Sequence, residues 1–123
     1  MTIVQANDRL IAARRMRTSL TNDIEILRNT RNQIKIIKQR IETRTSTFHQ
    51  ASKRENTDWR GESGTKYNGY RAQTQTNTRL YIQEIDGTVD RVTQRIVTLE
   101  TQRTTINRTI RELEEFIRNE KVM

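Results

Sequence analysis

Cysteine and proline are both absent from this chain of 123 residues, histidine and tryptophan occur once each, and glycine occurs only four times. Without cysteine there is no disulfide framework and no thiolate metal site. Without proline, and with three of the four glycines between Gly61 and Gly69, helix breakers are confined to one short stretch. That is the composition of long uninterrupted helices. Only 32% of the residues are apolar and 31% are charged, with a mean hydropathy of −0.93, less grease than a globular core of this length normally holds. No stretch approaches the roughly 20 apolar residues that a membrane span requires. The N-terminal MTIVQANDRLIAARRMR lacks a continuous apolar segment, so no secretory signal peptide is expected. Length alone suggests one domain.

What is present is heptad order. Ala13, Leu20, Leu27, Ile34, Ile41 and Phe48 repeat at seven-residue spacing and form one line of a coiled-coil seam. A weaker companion line runs Ile3, Leu10, Arg17, Ile24, Arg31, Lys38, with Met16 and Ile37 expected to widen the stripe. In the second half, Ile82, Ile85, Val89, Val92, Ile96, Leu99, Arg103, Ile106, Ile110, Leu113 and Ile117 follow alternating steps of three and four. Gly87 does not shift that phase, so the helix is expected to continue through it. The spacing predicts an all-α fold: a two-helix antiparallel coiled-coil hairpin, supercoiled left-handedly. Helix one is placed near 3–56, the turn near 57–62 and helix two near 62–119, all in a single domain over 1–123. Nineteen threonines lower intrinsic helix propensity, so packing must supply what propensity does not. Two helices bury one stripe each, and Ile11, Ile26 and Ile36 fall outside it. Several apolar residues along one outer face point to a second contact surface, with a partner or a second copy to cover it.

The net charge is +8, from 23 basic and 15 acidic residues, and the pI is about 10.6. Helix one is the basic one. Arg28, Arg31, Lys35 and Lys38 follow helical spacing along one face, with Arg14, Arg15 and Arg17 a few turns earlier. These bases are interleaved with Asp23, Glu25 and Glu42, and no helix-turn-helix, zinc finger or RNA-recognition motif is present. A solvated face, inter-helix carboxylate pairs or an acidic protein partner account for them better than nucleic acid does. Arg103 interrupts the second seam, and Asp23 is its candidate counter-charge in a simple hairpin register.

No constellation that carries catalysis emerges, and neither an enzyme nor a cofactor is expected. His49 lies on a polar stretch with no second ligand near it, where a surface histidine is the expectation and a metal site is not. Gly61, Gly64 and Gly69 lack the Lys-Ser/Thr ending and preceding strand of a phosphate loop. Ser63 has no histidine base. Glu112, Glu114 and Glu115 are close in sequence, but nothing desolvates them enough to tune their protonation.

The lone tryptophan stands where the two heptad blocks meet. Trp59-Arg60-Gly61-Glu62-Ser63-Gly64-Thr65-Lys66-Tyr67 resembles the hinge of the Trp-x-Gly family of small type VII secretion proteins, in which Trp, Gly, a small residue and an aromatic recur at these spacings. Trp59, Gly61, Ser63 and Tyr67 match it. The whole chain fits that helical-hairpin layout, although it is longer than the usual member. It looks most like the small helical partners of LXG-type polymorphic toxins. The resemblance implies a targeting factor that packs along the toxin's helical N-terminal domain, alone or beside a second small helical protein. It also implies a cytoplasmic stay followed by export through the type VII system without a cleaved signal peptide. Proteins of this class resemble one another in an export signal, an aromatic followed four residues later by an acid. Phe116 and Glu120 match if Phe replaces Tyr and Glu replaces Asp. In a helix those two side chains share a face.

The expected function is therefore that of an adaptor. Its partner surface is assigned to Leu20, Leu27, Ile34, Ile41, Ile85, Val92, Leu99 and Ile106 on the seam, to the outward Ile26 and Ile36, and to the basic Arg28, Arg31, Lys35 and Lys38. The rival readings are a basic nucleic-acid-binding hairpin and a self-assembling coiled-coil structural protein, with a homo-oligomer as the state of the chain alone.

Overall fold

The computed structural model describes the backbone of residues 1–56 and 62–122, and the side chains of 1–51 and 64–122. The chain is an all-α hairpin of two helices, α1 (Ile3–Asn56) and α2 (Glu62–Val122). The second runs a few residues past the expected 119. Trp59, Gly61 and the expected turn up to Gly61 lie outside the described residues.

The start of α1 is fixed by a reciprocal cap. Thr2 Oγ1 accepts from the Gln5 backbone N–H at 3.1 Å, while Gln5 Oε1 accepts from the Thr2 N–H at 2.9 Å. Two otherwise orphaned donors are thereby satisfied, and Ala6 N–H closes the first turn onto the Thr2 carbonyl at 2.9 Å. Further along, the threonines turn their hydroxyls onto the carbonyl four residues back. Thr18, Thr30, Thr43, Thr47, Thr76, Thr88, Thr98, Thr101, Thr104, Thr105 and Thr109 all do so, at 2.9 to 3.3 Å. This is how a residue of middling helix propensity occupies helix interiors without an unsatisfied hydroxyl. α2 continues through Gly87, where a side chain would meet only the flexible end of Arg91 at 3.6 Å.

The hairpin divides into two compact units. The first comprises Met1–Thr30 and Val92–Met123. Ala6, Leu10 and Ala13 pack with Ile110, Leu113 and Ile117, flanked by Ile106 and Phe116. Leu20 and Ile24 pack with Ile96 and Leu99, flanked by Leu27, Val92 and Ile106. Rising numbers on α1 meet falling numbers on α2, so the helices are antiparallel. Ile24 is 1% exposed, the most enclosed large side chain among the described residues. The companion line that reads as weaker in the sequence thus supplies the best-buried large side chain, because α2 sets Ile96 and Leu99 against it.

The second unit is Arg31–Arg91. Its seam is different. Along α1 the half-buried positions are Arg31, Ile34, Lys38, Ile41, Thr45 and His49. Along α2, Gly64 is buried, and Tyr67, Arg71, Gln75, Thr78, Ile82, Ile85 and Val89 are half-buried. Among the described residues, every buried apolar side chain belongs to the first unit. The steps 41 to 45 to 49 and 67 to 71 to 75 are two successive fours, a stutter in the heptad phase. This corrects the assignment of Phe48 to the seam. The stutter moves the inward position to His49 and leaves Phe48 44% exposed. Met16 and Ile37 do not widen the stripe either: both sit beside it, 54% and 48% exposed.

Candidate functional site

The seam is edged by cross-helix ion pairs. In the first unit Arg14 Nη2 bonds Glu114 Oε1 at 3.2 Å, and Arg28 Nη2 bonds Glu100 Oε1 at 2.5 Å. In the second unit Lys38 Nζ reaches Asp86 Oδ1 at 2.6 Å and Glu42 Oε1 at 3.7 Å. The acids on α2 each follow a seam residue by one: Asp86 after Ile85, Glu100 after Leu99, Glu114 after Leu113. Arg14 and Arg28 likewise follow Ala13 and Leu27. A fourteen-residue spacing therefore places acids and bases on facing edges, a signal present in the sequence that a search by charge clusters passes over. All are solvent-accessible, and the Arg14 and Arg28 pairs are worth roughly 0.2–1 kcal/mol each. The hydrogen bond to Asp86 holds the Lys38 ammonium above its ordinary lysine value, opposed by desolvation and aided by the Asp86 and Glu42 charges.

Arg103 is half-buried in its seam, as its position requires, but no ion pair among the described residues joins it to Asp23, which is exposed. His49 is not the surface histidine that its polar neighbourhood suggests. It is half-buried, its Nδ1 lies 3.1 Å from Gln75 Nε2, and its ring centroid is 5.8 Å from that of Phe48. The stutter brings it inward, and Gln75 supplies the polar contact that a half-buried imidazole needs.

The residues assigned to a partner fall into three settings. Leu20 and Leu99 are buried in the hairpin's own core, and Leu27, Val92 and Ile106 flank it. Ile34, Ile41 and Ile85 are half-buried along the second unit's seam. Arg28 and Lys38 are held in the ion pairs above, and Arg31 occupies a half-buried seam position. Lys35, Ile26 and Ile36 face outward, the isoleucines 61% and 48% exposed. Of the hinge motif, Tyr67 is half-buried in α2, and the Ser63 side chain lies outside the described residues. Phe116 packs against the first core cluster and Glu120 is exposed beyond it.

Outside the seam, apolar residues recur on both helices. Val4, Ile11, Ile26, Ile36, Ile37 and Phe48 are exposed on α1, and Tyr70, Leu80, Tyr81 and Val97 on α2. Scattered single residues of this kind are ordinary; Ile36 and Ile37 are consecutive, so together they leave a broader arc of α1 apolar. Among the described residues no helix is long and apolar enough to cross a membrane, and no group of three or more His, Asp or Glu is placed to hold a metal ion. No family model, curated protein or solved structure matches the chain.

Proposed function

We propose that this chain is a non-enzymatic helical adaptor that packs along the helical N-terminal domain of a secreted LXG-type toxin and delivers it to a type VII secretion apparatus. The observation that carries a helical partner is the apolar surface left over after the seam is closed, above all Ile36 and Ile37 on α1. Each helix of the hairpin uses one stripe for the seam, and among the described residues no third element covers the rest. The Trp59-Arg60-Gly61 motif between two long helices supports the secretion assignment. The engagement of Arg14, Arg28 and Lys38 by carboxylates within the hairpin favours a protein partner over nucleic acid, which would need those cations free for phosphate.

The decisive experiment is co-expression with the product of an adjacent gene that has a long helical N-terminal domain. Co-elution at a fixed stoichiometry, with a rise in melting temperature over the separate proteins, is the expected result. A lone, cooperatively melting monomer indifferent to every such neighbour would reject the adaptor reading. A defined homo-oligomer with no second gene product would favour self-assembly instead.

A further inference from the structure

On α1, the residues Ile36, Arg40, Arg44 and Phe48 follow one another at steps of four, so their side chains line up as one ridge on the helix surface. Ile37 lies beside it. The three apolar members are 48%, 44% and 48% exposed for Ile36, Phe48 and Ile37 respectively. Ile36, Arg40 and Arg44 also line a surface depression with Gln39 and Thr43. The seam of this unit runs through Ile34, Lys38, Ile41 and Thr45, so the ridge belongs to the side of α1 that α2 does not cover.

Charge on this ridge is unbalanced. Glu42 is the sole acid between Arg31 and Arg54, and it sits at the seam edge within 3.7 Å of Lys38. Neither Arg40 nor Arg44 makes an ion pair among the described residues. Of the four bases assigned from sequence spacing, Arg28 and Lys38 are held in ion pairs and Arg31 lies half-buried in the seam, so Arg40 and Arg44 offer a partner a more open pair of guanidinium groups.

We infer that the ridge from Ile36 to Phe48 is a docking surface for an acidic amphipathic helix of a partner protein. Its apolar side chains would lie over Ile36, Ile37 and Phe48, and carboxylates spaced three or four residues apart would reach Arg40 and Arg44. This rests on the adaptor reading and names the chemistry of what is adapted. Bidentate Arg–carboxylate bonding suits a helix that presents acids at one-turn intervals. Three exposed apolar groups beside two cations do not suit a phosphate backbone, which rewards many cations and has no use for the isoleucines. A second copy is a poorer match, because a chain of net charge +8 repels itself.

The test is calorimetric titration of the full chain with three synthetic peptides of about 21 residues, roughly six helical turns. One carries leucines at helical spacing flanked by glutamates, one has the glutamates replaced by lysines, and one scrambles the acidic sequence. The acidic amphipathic peptide should bind, more weakly as salt rises, while the other two should not. The Arg40→Glu, Arg44→Glu double variant should weaken binding by about tenfold or more, as should Ile36→Ser with Ile37→Ser. Arg108→Glu on α2 should leave it unchanged, with circular dichroism confirming that all variants stay helical. Equal binding of the scrambled peptide, or indifference to the Arg40/Arg44 reversal, overturns the inference. So does a homodimer, or a complex with random-sequence RNA, that the same reversal abolishes. The co-elution experiment separates the two levels. A partner held equally well by wild type and by the Arg40/Arg44 variant refutes this ridge and spares the adaptor; a partner that wild type never holds refutes the adaptor itself.

Discussion

Ile24 concentrates the residue-scale argument. At 1% exposure and packed with Ile96 and Leu99 across the hairpin, it has no solvent into which its neighbours can relax. Ile24→Ala should cost about 2–5 kcal/mol, the lost transfer energy plus the cavity left behind, read as a lowered urea midpoint at unchanged slope. Arg28→Ala, which removes an accessible pair with Glu100, should cost no more than about 1 kcal/mol. From Leu10 to Ile41 and from Ile82 to Ile117 the identity of the seam residues was legible in the sequence, because spacing decides which side chains share a stripe. Their depth was not. Ile24 sits on a line interrupted by Arg17 and Arg31, and its burial depends on what α2 places opposite, which no single helix reveals. The same holds for Asp86, Glu100 and Glu114, whose partners are determined by the register between helices. The Thr2-Gln5 cap was there to be read, a Thr-x-x-Gln directly before the first apolar repeat.

At the scale of the helix, the contrast is between two kinds of seam. In the first unit the inward positions are Ala, Leu, Ile and Val92, interrupted by Arg17 and Arg103; in the second they include Arg31, Lys38, Thr45, His49, Arg71, Gln75 and Thr78. The Arg71 Nε is enclosed without a hydrogen bond, a placement that weakens a seam rather than strengthening it. Amides of 6–27 and 96–117 should therefore exchange with deuterium markedly more slowly than those of 41–51 and 64–78, measured under native conditions by mass spectrometry. Uniform protection along both helices would contradict this account. Helix existence was plain from breaker placement and periodicity. The stutter was hidden, because Phe48 continues the seven-residue line begun at Ala13 so convincingly. Only the competing burial of Thr45 and His49 shows that the phase has moved.

For the molecule as a whole, the function proposed above raises the question whether partner binding and export would be separate properties. Phe116 leans on the first core cluster while Glu120, one turn later, is exposed, so an export machine would find the acid open and the aromatic half-covered. Phe116→Ala with Glu120→Ala should stop export while leaving partner co-elution intact, and Glu120→Ala alone should reproduce the defect without disturbing packing. Normal secretion of the double variant would remove the signal assignment. The hairpin was legible from the sequence, and so was the existence of an outward apolar face; which cations that face keeps for itself was not, since that follows from the pairs Arg28 and Lys38 make across the hairpin. A last consequence follows from the threonines. A hydroxyl turned back onto its own helix leaves the methyl as the group that meets a visitor, so this outwardly hydrophilic chain wears a partly hydrocarbon coat. A neighbour settling on Thr43 or Thr47 strips little water from those oxygens and strands no O–H. A surface can in this way remain soluble when bare and still be cheap to dry.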